Sequence, residues 1–151
     1  RLISFFYTPI TFRRFYFILG SIVLVELFCS LVYLFNPLYQ REDWKGLVNF
    51  FKNQQPSVIL FESSGTLPPF DYYAKGNLNA KGALKDFPAK AEEDVIDLTE
   101  GEKDIYLVDY LVEISDPKRL VAKKLVRQGY KQTDIKNFIG VGFVYHYIKY
   151  E

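Results

Sequence analysis

The first long pattern in the chain is the near-absence of polar residues. From Phe15 to Phe35 the sequence reads FYFILGSIVLVELFCSLVYLF, and Glu26 is its one charged residue. A helix needs about 20 apolar residues to cross a bilayer, so the length fits a span. Lipid offers the backbone no hydrogen-bond partner, so the segment is expected to be helical despite its β-branched residues. A cleaved signal would have a shorter apolar core, about 7–15 residues, and a small-residue cleavage site. SLVYLFNPLY offers no such site. Residues 1–7, RLISFFY, are apolar again and read as the end of a preceding span. The turn TPITFRR would join the two, so residues 1–14 are expected to be a span end and a cytoplasmic turn. Arg13 and Arg14 then orient the helix by the positive-inside rule and put residues 36–151 outside.

After Asn36 the pattern becomes that of a folded domain. Trp44, Leu47, Val48 and Phe51 recur at helical spacing and predict a helix over Arg41–Asn53 with one apolar stripe. Glu42 and Asp43 stand where a helix N-terminus favours acids, and Pro56 is the stop. Trp44 reads as a core anchor. SVILFE (Ser57–Glu62) is a short continuous apolar run, as expected of a strand buried on both faces. Pro68 or Pro69 can open a second helix and Gly76 can close it. Residues 77–94 are polar and rich in charge, and read as a long exposed connection. Val95–Leu98 could form a short strand, and Asp104–Ile114 contains another strong one, most securely Ile105–Val108.

SDPKRLVAKKLVRQG predicts a helix capped by Ser115 or Asp116, with Pro117 in first position and Gly129 after its end. Leu120, Val121, Leu125 and Val126 would face a sheet. Lys118, Lys123, Lys124 and Arg127 would be its solvated side. YKQTDIKNF and GFVYHYIKY, rich in aromatic and β-branched residues, predict two strands joined near IGVG. Helices alternating with strands imply a small three-layer α/β domain, Rossmann-like, with a C-terminal β-hairpin.

Composition then narrows the function classes. Residues 36–151 have a net charge of −1, so no basic field exists to hold nucleic acid. With one Cys (Cys29) and one His (His146), neither a disulfide framework nor a Cys/His metal site can be built, and no cofactor is implied. The 151 residues contain no Met and read as a piece of a longer protein. Glu26, an acid within a span, is a functional-site candidate by position alone.

The candidate chemistry is sparse. The loop Ser63-Ser64-Gly65-Thr66 follows the first strand, at the edge where open α/β sheets hold ligands. It lacks the Lys of a phosphate loop and is not a nucleophile elbow. Phe70-Asp71-Tyr72-Tyr73 offers amphipathic rings that could stack on a sugar or meet a membrane surface. Ser63, Ser64, Asp71, Tyr72 and Tyr73 are therefore the candidate substrate-binding residues. Carboxylates are scattered, so no catalytic pair is named. His146 reads as a half-buried strand residue.

The order of these segments resembles the C-terminal part of bacterial and archaeal polytopic membrane glycosyltransferases. These are the enzymes similar to protein O-mannosyltransferases and the lipid A aminoarabinose transferase. The resemblance is carried by Glu42-Asp43-Trp44-Lys45-Gly46 after the span, SVILFES, PPFDYYAKG, DIYLV, the Asp-Pro-led helix and GVGFVYHY, and it covers the whole chain. It implies a parent enzyme that transfers a sugar from a polyprenyl-phosphate donor to an extracytoplasmic acceptor. The family's catalytic carboxylate lies in an early loop outside this chain, so the resemblance assigns no catalytic residue here. It implies partners in the lipid bilayer and in the other spans of the parent, and an acceptor-side role for the soluble domain. The competing expectation is a membrane-anchored extracytoplasmic module that binds a sugar or a protein without catalysis.

Overall fold

The computed structural model describes residues 12–36, 39, 42–97 and 101–150. The chain divides into two compact units, residues 1–40 and 41–151. In the first, α1 (Phe12–Phe35) is one uninterrupted helix. Its Arg14–Phe35 portion is long and apolar enough to cross a membrane. Phe17, Leu24, Phe28 and Phe35 stand well exposed on it, and so does Glu26. The expected preceding span and most of the turn before it lie outside the described residues.

The second unit is a mixed α/β fold. It begins with α2 (Trp44–Gln54) and β1 (Val58–Ser63). A short 3-10 turn at Ser64–Thr66 leads directly into α3 (Leu67–Ala74). There follow β2 (Ala80–Leu84), β3 (Asp104–Val108), α4 (Val112–Ser115) and α5 (Leu120–Arg127). The hairpin of β4 (Tyr130–Phe138) and β5 (Gly142–Lys149) closes the fold. The five-stranded sheet has the order β2-β1-β3-β5-β4. β1 is parallel to both β2 and β3, and the hairpin adds an antiparallel edge, as its pattern predicts.

Side-chain alternation along the strands divides the core in two. Ile59 and Phe61 of β1, with Tyr106 and Val108 of β3, pack under Trp44, Leu47, Val48 and Phe51 of α2 and Phe70 of α3. Val58 and Leu60, with Ile105 and Leu107, face the other way onto Val121 and Leu125 of α5. Helices thus cover both faces of the sheet's parallel part. This double burial is why β1 and β3 read as continuous apolar runs.

The structure differs from the sequence expectation in the middle of the chain. Residues 80–84, AKGAL, form a strand inside what reads as an exposed connection. Only Ala83 and Leu84 of β2 are buried, so its apolar signal is too short to register. Val95 makes a single antiparallel bridge to Leu84 instead of a strand of its own, and Leu98 lies outside the described residues. The α5 helix begins at Leu120, not at Pro117. Asp116 still caps it, its Oδ2 accepting the Val121 N–H at 2.8 Å. The intervening turn puts Arg119 at φ +55°, and Val126 stands exposed, off the buried stripe.

Candidate functional site

The two parallel strands both end in an acid. Alternation along Val58, Leu60 and Glu62 sends Glu62 to the α5 face, and Ile105, Leu107 and Asp109 do the same for Asp109. The register pairs Leu60 with Leu107 and Phe61 with Val108, so Glu62 and Asp109 end side by side. From β1 the chain runs out to β2 and returns to β3 on the other side of β1. The acids therefore lie at the switch point where open α/β sheets place ligands. Glu62, Asp109 and Asp116 are all buried.

Arg119 is the cation of this group, and its guanidinium pairs with Asp109 Oδ2. Among the described residues, neither Glu62 oxygen, nor Asp109 Oδ1, nor Asp116 Oδ1 has a hydrogen-bond partner. An ionised Glu62 in that position would be an unpaired buried charge beside two others. Burial first, and then the charges of Asp116 and Asp109, push its pKa up to about 9. Glu62 is therefore a neutral acid near pH 7, beside the Asp109 carboxyl. Burial also raises Asp109, against the opposing pull of Arg119, Glu62 and Tyr145. The arrangement is a neutral buried acid beside a second carboxyl that a guanidinium clamps.

Next to this buried group a cleft of about 450 Å³ opens at the carboxyl end of β3. Asp109 and Arg119 line its inner side, and the α4 segment and the β4–β5 turn form its walls. Asp109 donates its backbone N–H to Phe143 O at 2.8 Å, and Phe143 pairs in turn with Asn137. Glu62, Asp109, Phe143 and Asn137 thus form a transverse row across β1, β3, β5 and β4. A Cβ at position 142 would sit 3.1 Å from Asp109 O, so Gly142 permits the close approach of the hairpin to β3.

The residues singled out from sequence lie elsewhere. Ser63 Oγ accepts the Gly65 N–H at 3.2 Å, and Thr66 Oγ1 donates to Ser63 O at 2.6 Å. Ser64 packs so tightly on β2 that a Cβ at position 82 would come within 2.4 Å of its backbone nitrogen. That loop is a self-contained turn bonded to its own neighbours. Asp71, Tyr72 and Tyr73 are exposed on α3, the two rings meeting edge-on with centroids 5.0 Å apart. None of these five residues lines the cleft. His146 is half-buried: Nε2 lies 2.6 Å from Asp104 Oδ1, and the ring stacks on Tyr106 at 4.2 Å. Among the described residues, no group of three or more His, Cys, Asp or Glu is placed to hold a metal ion.

Sequence reasoning missed Glu62 and Asp109, although the signal is present. VILFE and IYLVD each run from apolar residues into an acid with the same alternation. An acid ending each of two parallel strands is a pair once the strands are known to be neighbours.

The segment that carries the family resemblance is also explained by geometry. Asp43 accepts the Gly46 N–H at 2.8 Å and donates its own N–H to Ile139 O at 2.8 Å. Trp44 is buried against Phe61 and Tyr110, as expected of a core anchor. Its indole N–H donates to Glu42 Oε2, and Tyr110 OH donates to Glu42 Oε1, both at 2.8 Å. Comparison with protein families, with curated proteins and with solved structures returned no match.

Proposed function

We propose that this chain is the C-terminal part of an integral-membrane glycosyltransferase that moves a sugar from a polyprenyl-phosphate donor to an extracytoplasmic acceptor. Its α/β unit is a non-catalytic part of that enzyme on the acceptor side. The reading rests on the resemblance. The observation that carries the non-catalytic role is the lock at the head of α2. Glu42, Asp43, Trp44 and Gly46 each have a structural task there, as cap, anchor or hydrogen-bond partner. The most distinctive motif of the resemblance therefore builds a scaffold. An apolar helix of spanning length before it, with Arg13 and Arg14 at its head, supports attachment to a membrane with residues 36–151 outside. Parallel strands covered by helices on both faces support the Rossmann-like description, from which the β4–β5 hairpin departs.

The test has two arms. Gene sequence upstream of Arg1 should encode further spans with an acidic first extracytoplasmic loop. The complete protein, reconstituted in lipid, should transfer label from a polyprenyl-phosphate sugar, and residues 1–151 alone should not. A start codon shortly before Arg1, or turnover by residues 1–151 alone, overturns the reading.

The cleft beside Asp109 favours a second reading, an anchored extracytoplasmic module that binds a sugar or a protein without catalysis. A short gene would leave this one standing.

A further inference from the structure

The cleft at the carboxyl end of β3 has a composition that selects among ligands. Its charged lining groups are Asp109, Glu113 and Arg119. Asp109 and Arg119 are already paired, which leaves Glu113 as the unbalanced charge. An anion would meet that carboxylate and a guanidinium that is already engaged. A cation would find one exposed carboxylate, Glu113, in a cleft that also holds the Arg119 charge. Neither ionic class is served, and a neutral ligand is.

The walls add a second requirement. Leu111, Ile114, Ile139 and Phe143 line the cleft and are exposed, each at 44% or more of its full surface. Apolar side chains around a few convergent polar groups are the usual makeup of a small-molecule site, and about 450 Å³ lies inside the usual range of roughly 300–1,000 Å³. Phe143 stands directly between Asp109 and Asn137 in the transverse row, so one ring face is flanked by hydrogen-bonding groups on both sides.

Backbone strain points to the same place. Among the described residues, four other than glycine adopt positive φ: Gln55, Lys75, Leu111 and Arg119. Gln55 and Lys75 end helices, where that conformation is common. Leu111 and Arg119 precede helices instead, and both line the cleft. Strain of this kind collects at ligand sites because the surrounding structure must hold side chains in set positions.

We propose that this cleft binds a neutral pyranose ring, which stacks its C–H face on Phe143 and directs hydroxyls to Arg119, Asn137 and Glu113. A pyranose is uncharged, has an apolar face, and carries hydroxyls that both donate and accept. It can give hydrogens to Glu113 and the Asn137 oxygen, and take them from the guanidinium. The inference names the ligand class of the cleft and holds whether or not the parent is a transferase, because it concerns binding and not transfer.

The experiment uses the full chain in lipid nanodiscs, which avoids glycoside detergents. Saturation-transfer NMR is recorded with methyl α-D-mannopyranoside, methyl β-D-glucopyranoside and N-acetylglucosamine, and with sorbitol and inorganic phosphate as controls. At least one glycoside should receive saturation, most strongly at ring C–H protons, and the controls should not. Phe143→Ala should weaken that binding roughly three- to tenfold, as loss of one ring contact implies. Asn137→Ala should weaken it as well, and Tyr72→Ala, on α3, should leave it unchanged. Circular dichroism of each variant establishes that the fold is kept. Silence from all the glycosides, sorbitol or phosphate binding as well as the sugars, or binding that survives both Phe143→Ala and Asn137→Ala overturns the proposal. Loss of binding in Tyr72→Ala alone also overturns it and moves the site to α3.

Discussion

The carboxylate of Asp43 occupies the space that a side chain on residue 46 would need. Asp43 Oδ1 accepts the Gly46 N–H at 2.8 Å, and a Cβ at position 46 would lie 2.1 Å from Asp43 Oδ2. The cap and the glycine are one device. Asp43→Ala should cost about 0.5–2 kcal/mol, the usual loss for an N-cap. Gly46→Ala should cost about 1–3 kcal/mol, because the cap must swing away. The double variant should lose less than the two single losses combined, since removing the Asp43 carboxylate frees the space. Denaturant unfolding followed by the fluorescence of Trp44, the one Trp in the chain, reads all three. Simple additivity would show that the two positions act separately.

Trp44 closes the α2 face of the sheet. It is 4% exposed and packs edge-on to Tyr110 with centroids 4.8 Å apart. Trp44→Ala should cost about 3–5 kcal/mol. That is a large share of the roughly 5–15 kcal/mol that holds a domain together. Trp44→Phe keeps most of the packing but strands Glu42 Oε2, and should cost less. The melting temperature followed by far-UV circular dichroism distinguishes them. Unchanged melting in Trp44→Ala would mean the ring is not a core anchor.

Glu62 makes stability depend on pH in a direction unusual for a carboxylate. Its folded pKa of about 9 stands above its ordinary value of 4.5. Between those values the folded protein keeps a proton that the unfolded chain has released. Stability from this group is therefore fully present below about pH 4.5 and falls as pH rises toward 9. Asp109 is shifted the same way and adds to the slope. Glu62→Gln is neutral at every pH, so it should flatten the fall in melting temperature between pH 5 and 9. Asp116→Asn keeps the cap on Val121 and removes one of the charges that raises Glu62, so the fall should end at a lower pH and be smaller. A melting temperature that rises from pH 5 to 9 in the unmodified protein, and not in Glu62→Gln, would reverse the assignment.

The sidedness of the chain is open to direct labelling. Arg13 and Arg14 precede the apolar helix and predict that residues 36–151 are outside. Lys90 and Lys118 are both exposed on the α/β unit. With Cys29, the chain's one cysteine, replaced by Ser, a Cys at either position should react with an impermeant thiol reagent in intact cells. Labelling only after lysis would reject this orientation.

Much of the fold was legible because its signals are local. The apolar helix is a matter of length and composition. The α2 stripe of Trp44, Leu47, Val48 and Phe51 is a period that needs no partner to be recognised. β1, β3 and the closing hairpin are equally direct, because β-branched and aromatic runs describe their own burial. β2 was not legible, since its pairing with β1 supplies what its short apolar signal lacks. The candidate site was legible only in pieces. Ser63 and Ser64 stand at the right edge of the sheet, but the Ser63 hydroxyl and carbonyl are bonded within their own turn.

What the sequence by itself determined is therefore most of the elements, β2 excepted: a helix of spanning length, then alternating helices and strands with a hairpin at the end. Each follows from side-chain period and backbone preference over a few neighbouring residues. Only the tertiary structure decided that Glu62 and Asp109 lie side by side. They are 47 positions apart in the chain, and nothing local to either one names the other. Strand order and register bring the two acids together, α5 and Arg119 close over them, and burial then makes the neutral form of Glu62 the stable one. The cleft beside them has the same origin, since its walls come from α4 and the β4–β5 turn and meet only in the folded sheet.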